Sequence, residues 1–319
     1  MSTRQKFIII FSALLLLVFA SAITYAEFPE QPITIIVPYS AGGGNDIGAR
    51  LMVPYLQEEL GVSVVVTNKA GGGGQVGSQL LLSKEADGYN LLMASFPATI
   101  TGILLTNAPY TIDDFDYICG QQEDPRMLVT GSNAPFKTLE GFISYAKENP
   151  GLITVSNAGT GSSSWFSALA LEMMADIEIV KVPFGGSAKA LAALLGGHVI
   201  AQAPTLSYIY GPRKEGKVVG LAIMSEERHP DFPEVPTFKE KGFNLFVASV
   251  RGILAPKGLP EDVLTKLRDA FTAVMNNPDF LEQAKKADLL IYHRDGERFE
   301  KYAEEQLVIF TQLVEKMEK

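Results

Sequence analysis

The sequence predicts an α/β protein in two halves, each a mostly parallel sheet flanked by helices, with the halves joined by crossing strands. Three observations carry that expectation. Short β-branched runs alternate with segments of helical period along nearly the whole chain, as βαβ units do. Several strands end in turns of glycine and hydroxyl residues that open a helix. The 319 residues are enough for two ordinary domains, yet no low-complexity linker divides them. Halves without a linker are expected to share strands. The chain is expected to cross near Arg126 and to return near Val250.

The first element is a leader. Arg4 and Lys6 precede Phe7 to Phe19, an apolar run broken only by Ser12. Small residues follow, with Ala20-Ser21-Ala22 and Thr24-Tyr25-Ala26 as cleavage sites. That layout fits a cleaved secretory signal peptide over residues 1–26. The apolar run is short beside the ~20 residues of a membrane span. Without Arg4 and Lys6 the chain keeps 25 basic against 36 acidic residues. An acidic surface argues against nucleic acid as a partner. Cys119 is the only cysteine, so no internal disulfide forms. Export with a single thiol fits a bacterial periplasm. Its apolar setting beside Ile118 reads as core.

Ile33 to Val37 reads as a strand, and Ile47, Leu51, Tyr55 and Leu60 mark a helix after it. Between them lies PYSAGGGNDIGAR, Pro38 to Arg50. Gly42, Gly43 and Gly44 free the backbone there, and Asn45 or Asp46 is placed to cap the helix. Unpaired amides and the positive end of the helix dipole suit such a turn to a phosphate or a carboxylate. The same turn also serves simply to connect a strand to a helix.

Val62 to Thr67 is a β-branched strand, followed by Lys69 to Gly77 and a helix to Leu82. Gly72, Gly74 and Gly77 match G-x-G-x-x-G. The acidic partner of a dinucleotide site is missing at ~20 residues on, so the match is set aside. Asn90 to Ala94 is a strand ending at Ser95-Phe96-Pro97-Ala98-Thr99. Phe115 to Gly120 and Met127 to Thr130 read as strands separated by the charged Glu123-Asp124-Pro125-Arg126. A helix runs from Thr138, its cap, to Glu148, with Phe142, Tyr145 and Ala146 inward, and Asn149-Pro150-Gly151 stops it.

A second anion-suited turn follows. Thr154 to Ser156 is a strand, Asn157 to Ser164 (NAGTGSSS) the turn, and Trp165, Leu169, Glu172 and Met173 continue as a helix. Two such helix starts more than a hundred residues apart look like two sides of one site. Ile179 to Val182 leads into a third turn, Pro183 to Ser187, and a helix from Ala188 to Leu195. Val199 to Ala203 and Val218 to Met224 are strands. The tail is helical over Pro260 to Met275, Asp279 to Ala287 and Gly296 to Met317.

Catalytic patterns are sparse. His198, His229 and His293 have no His or Cys partner at metal-ligand spacing. No G-x-S-x-G elbow surrounds Ser162, Ser163 or Ser164, and no G-x-x-x-x-G-K-[ST] occurs. Arg126 and Arg251 suit a bidentate carboxylate clamp, though an ordinary ion pair is the expectation for each. Asp46 either accepts a hydrogen bond from a ligand or caps its helix.

In collinear order the motifs resemble the solute receptors of tripartite tricarboxylate transporters, the Bug family. The pieces are Pro32-Ile33 into Val37-Pro38-Tyr39 and GGGND, Asn68 to Gly74, Ala86-Asp87-Gly88-Tyr89, NAGTGSSS, and Val182-Pro183-Phe184-Gly185-Gly186. Pro233 to Thr237 and Ala255 to Pro260 complete the set. The resemblance implies a two-lobed periplasmic-binding-protein fold of type 2. Lobe 1 comprises residues 27–125 and 249–319, and lobe 2 residues 126–248. A carboxylate is implied between the lobes, held partly through ordered water. The first turn contributes Tyr39, Ser40, Ala41, Gly42, Gly43, Asn45 and Asp46. Ser95 stands where a polar contact is common. The opposite lobe contributes Thr160, Gly161, Ser162, Ser163, Phe184 and Gly185, with Trp165 and Ala203 beside them. No cofactor, metal or catalytic residue is implied. The implied partners are a small organic acid and the integral-membrane permease subunits of the transporter, with the receptor a monomer.

Departures bear on the ligand. Trp165 replaces a common histidine, and either faces the ligand or fills core. Ile200 and Pro204 stand where aspartates are frequent, and Val250 near a frequent tryptophan. The change at Pro204 speaks against amino-acid ligands and for a more apolar pocket on that side. Two further readings stay open: a receptor signalling to a membrane sensor kinase, and an exported serine hydrolase using Ser162 or Ser163.

Overall fold

Each β-branched run pairs with its neighbours as a strand, and each turn delivers the chain to a helix. The computed structural model describes residues 28–106 and 108–317; the expected leader, residues 1–26, lies outside them. The strands are β1 (Ile33–Val37), β2 (Val64–Asn68), β3 (Asn90–Phe96), β4 (Phe115–Pro125), β5 (Met127–Gly131) and β6 (Ile153–Asn157). They continue as β7 (Ile179–Pro183), β8 (Ala201–Gln202), β9 (Val218–Ile223), β10 (Ala248–Pro256) and β11 (Ile291–Asp295). The helices are α1 (Gly44–Leu60), α2 (Gln75–Leu82), α3 (Ala98–Thr106), α4 (Leu139–Glu148) and α5 (Ser163–Ala175). After them come α6 (Ser187–Leu195), α7 (Tyr210–Lys214), α8 (Glu261–Asn276), α9 (Pro278–Lys286) and α10 (Gly296–Met317).

Two sheets result, ordered β11-β4-β10-β3-β1-β2 and β7-β6-β8-β5-β9. The same plan underlies both. In each, the first strand lies between the second and the third, and the strand arriving from the other sheet separates the third from the fourth. Both sheets are mixed rather than mostly parallel. Parallel pairing joins β1 to β2 and β3, and β6 to β7 and β8, where helices carry the chain back across the sheet. The crossing strand β10 pairs antiparallel with β3 and β4, and β5 antiparallel with β8 and β9. These two enter from the other sheet, without a returning helix to set them parallel.

The crossings are tightly knit. Arg126 N–H donates to Val247 O at 3.0 Å, Met224 N–H to Arg126 O at 2.7 Å, and Val247 N–H to Met224 O at 3.2 Å. β4 does not break at its charged stretch. It runs through Glu123 and Asp124 to Pro125 because β10 pairs with it residue by residue there. The strand expected over Val199 to Ala203 shortens to Ala201–Gln202. β11 was not foreseen, since Ile291–Asp295 (IYHRD) has little apolar alternation. Pairing with β4 forms it, helped by the Arg294 guanidinium 4.6 Å from the Tyr302 ring centroid and bonded to Glu123.

Thr138 caps α4 as expected, accepting from Gly141 N–H at 3.1 Å; Phe142 and Ala146 are buried and Tyr145 half-buried. Cys119 is buried in the core of the first sheet, and burial pushes its thiol up to about 12. One apolar cluster joins the first sheet and its helices to α5, the helix that follows β6. Trp165, Phe166 and Leu169 of α5 meet Ile36, Phe96, Phe299 and Phe310 from the other side. Phe166 and Phe310 stack edge to face at 4.7 Å. No helix among the described residues is long and apolar enough to cross a membrane.

Candidate functional site

The carboxyl ends of β1 and β6 hold equivalent places in the two sheets, and each feeds one of the anion-suited turns. At the first turn α1 starts after Gly43 without a side-chain cap, so its leading amides stay open. Ser40, Ala41, Gly42 and Gly43 are exposed, and Gly42 takes the left-handed φ of 78° that glycine alone adopts freely.

Asp46 is not the cap expected of it. It lies inside the first helical turn, where its carboxylate accepts from Gly42 N–H, Arg50 Nε and Asn68 Nδ2, each at 2.9 Å. Burial raises its carboxyl, but the bonds from Arg50, Gly42 and Asn68 outweigh that and hold it below its ordinary value. Asn45 is buried and donates to Met93 O at 3.2 Å. Both side chains brace the turn from within, and what they offer outward is backbone. Tyr39 is half-buried, its hydroxyl beside Ser95 and pushed up to about 12 by burial.

The second turn is braced by its own hydroxyls. Ser162 caps α5, accepting from Trp165 N–H at 3.3 Å, while Ser164 Oγ accepts from Ala158 N–H at 2.9 Å. Asn157 Oδ1 accepts from Gly159 N–H at 3.0 Å, and Asn157 O from Phe184 N–H at 2.9 Å, which ties the third turn to the second. Thr160 and Gly185 are exposed; Gly161, Ser162, Ser163 and Phe184 are half-buried. A Cβ at Gly161 would come 3.0 Å from Leu105 Cδ1 of α3, so the second turn reaches the first sheet's helices. Trp165 is buried, its ring edge-on to Phe166.

Two arginines stand where the chain crosses. Arg126, 4% exposed, donates from Nη1 to Ala203 O at 2.6 Å and from Nη2 to Ser163 Oγ. Arg251 pairs in register with Ser95 and Gln122 and donates from Nη1 to Gln122 Oε1 at 2.5 Å. Its guanidinium lies against the start of α1, where a Cβ at Gly44 would meet Nη2 at 2.6 Å. Among the described residues neither has the ion-pair partner expected of it, and the Nε of each has no hydrogen-bond partner. Burial pushes Arg126 down to about 10, against the pull of Asp124 and Tyr208, and it stays charged at neutral pH. Arg251 is lowered for the same first reason and feels Asp124, Tyr208 and Tyr39. Arg126 thus touches one turn and Arg251 the other, so the two turns converge on the crossing strands. Among the described residues no group of His, Cys, Asp and Glu is arranged to hold a metal.

The model of the tripartite tricarboxylate transporter family receptor matches residues 49–318. The chain belongs to this receptor family. It is 32% identical to BugT of Bordetella pertussis over 252 residues, 78% of this chain and 77% of that protein. The crystal structure of a TctC solute-binding protein from Polaromonas superposes with a TM-score of 0.82 at 28% identity, covering 91% of this receptor and 99% of that chain. MatC from Rhodopseudomonas palustris, with bound malate, superposes at 0.75 with 28% identity, covering 90% and 100%.

In this receptor the hydrogen bond at Ser163 Oγ is accepted from a cation, Arg126, rather than donated to a general base. A groove of about 960 Å³ lies elsewhere, between residues 225–231 and 285–294, and takes in none of the turn residues. Its lining mixes acids (Glu123, Glu226, Glu227, Asp231, Asp288) with the cations Arg228, Lys285 and Arg294. The sequence named Arg126 and Arg251 as candidate clamps but left them outside the candidate set. What placed them was the crossing geometry, which brings residues 125 positions apart to the two helix starts.

Proposed function

We propose that this receptor works in the periplasm, capturing a small organic carboxylate between its two halves and delivering it to the permease subunits of a tripartite transporter. The halves are residues 27–125 with 249–319, and residues 126–248. The observation that carries this reading is the convergence of two anion-suited helix starts on the buried Arg126 and the half-buried Arg251, neither of which has an ion-pair partner among the described residues. Malate bound to MatC supports a carboxylate as the solute class. On this reading Tyr39, Ser40, Ala41, Gly42, Gly43 and Ser95 face Thr160, Gly161, Ser162, Ser163, Phe184 and Gly185 across the ligand. Asn45 and Asp46 contribute main-chain amides and keep the first turn in shape. Trp165 forms apolar wall, and Ala203 holds Arg126 in place.

Binding is the whole of the chemistry required. A ligand that touches both halves stabilises the closed arrangement by its contacts in that state alone. Calorimetric titration of ligand-stripped receptor with mono-, di- and tricarboxylates tests the reading. Micromolar or tighter binding of one class is expected. Absence of heat across the panel would remove the reading.

A further inference from the structure

The inference rests on the receptor reading and concerns the groove that the two turns leave unused. One wall is the stretch after β9, residues 225–231, with Tyr210 of α7. The other runs from the end of α9 into β11, residues 285–294, with Leu281 on its rim. Glu123 and Pro125, at the crossing end of β4, line it as well. Each half therefore supplies one wall.

Sheet order fixes where this groove stands. In the first sheet β1, which feeds the first turn, lies on one side of β4 and β10, and β11 lies on the other. In the second sheet β6, which feeds the second turn, lies on one side of β5, and β9 lies on the other. The strands β4, β5 and β10 carry the chain between the sheets. The turns and the groove thus open on opposite sides of the crossings. On the turn side the halves already meet: a Cβ at Gly161 would come 3.0 Å from Leu105 Cδ1, and Phe166 and Phe310 stack at 4.7 Å. On the groove side the same halves enclose about 960 Å³. Between the two openings the chain is pinned. Arg126 N–H donates to Val247 O at 3.0 Å, and Ser207 N–H to the buried Asp124 at 3.3 Å. Packed halves pinned in this way turn about the crossings rather than stretch away from them.

We infer that the groove is the counter-opening of the two turns, wide while the halves are closed and narrowing as they part, so that its lining sets solute affinity without touching solute. Bulk added to either wall resists the narrowing and disfavours the open form. The closed fraction rises, and the apparent Kd falls by the same factor. Glu227 on one wall and Lys285 on the other are exposed and have room for such a change. Ser225 Oγ bonds to the main-chain Glu227 O, so a new side chain at 227 keeps that bond.

Glu227→Trp and Lys285→Trp test this, each beside its Gln counterpart, which removes the charge without adding bulk. Calorimetric titration with malate, adipate and citrate gives the affinities, and solution scattering gives the ligand-free radius. Both Trp variants are expected to tighten the best-bound of the three roughly two- to tenfold through slower dissociation. The order of the three solutes should stay as in wild type, and the ligand-free radius should shrink. Both Gln variants should match wild type. Labelling of Glu227→Cys with a bulky maleimide reads the groove directly, since the native Cys119 is buried. Saturating solute should speed that labelling, the reverse of the protection expected at the turns. Labelling slowed by solute would overturn the inference. So would Trp variants whose Kd and radius equal wild type, or whose order of solutes changes. Heat from none of the three counts against the receptor reading alone, and the ligand-free radii then decide the groove. If one Trp variant does not fold, the variant on the opposite wall and the labelling still decide.

Discussion

Asp46 holds more of the first turn than any other side chain. Its two oxygens collect three hydrogen bonds from the turn, the helix and β2, and Asn68 carries the network on to Tyr39 O at 3.1 Å. Because these bonds depress its folded-state pKa, the stability they give is present above the unfolded pKa, about 3.9. It is lost as pH falls through the lower folded value. Asp46→Asn is therefore expected to cost about 1–2 kcal/mol at pH 7, the scale of charge-assisted bonds partly replaced by water. The difference from wild type should shrink as pH falls below the unfolded value and through the lower folded one. Urea midpoints at pH 7 and at low pH read this directly. A cost that stays constant with pH would mean that shape, not charge, is what Asp46 supplies.

β10 is the element on which the two sheets depend, and Gly252 shows how closely it is packed. A Cβ there would come 2.4 Å from Phe299 Cε1 and 2.5 Å from Cys119 O. One obstacle is backbone, so the strand itself has to move. Gly252→Ala is expected to destabilise by about 1–3 kcal/mol, as overpacking in a tight core does. A denaturation midpoint equal to wild type would show that Phe299 yields more easily than the packing suggests. Elements such as β10 also mark how far the sequence could be read. The turns, the βαβ order and Thr138 as a cap were legible because they depend on local pattern: period, β-branching and glycine. The continuity of β4 through Glu123 and Asp124 was not, because a long-range partner made those residues extended. β11 was hidden for the same reason, since its ladder to β4 and the stacking of Arg294 on Tyr302 come from residues far apart in the chain. Asp46 was misplaced by one turn, because cap and first-turn acid share one sequence signature. The arginine pair was legible as residue types only; that Arg126 reaches the second turn and Arg251 the first depends on the crossing strands.

At the scale of the molecule, the two sheets are joined by more than their crossing strands. Phe310 of α10 meets Phe166 of α5 edge to face, so the tail helix of one half packs on the helix that carries the second turn. Such a contact biases how far the halves part before any ligand arrives. An aromatic pair contributes about 0.5–1.5 kcal/mol beyond its buried area. Phe310→Leu keeps most of the apolar volume but loses that pairing. On the closure reading, the ligand-free receptor then populates open forms more, and the apparent affinity falls by the closed fraction lost. The expected result is a Kd for the best carboxylate raised roughly two- to tenfold, with a larger radius of gyration in solution scattering without ligand. With saturating ligand the radius should match wild type, since the ligand then holds both turns itself. A lower melting temperature with Kd and radius unchanged would assign Phe310 to the core of its own half alone, and closure would have to be limited at the Arg126 and Val247 crossings instead.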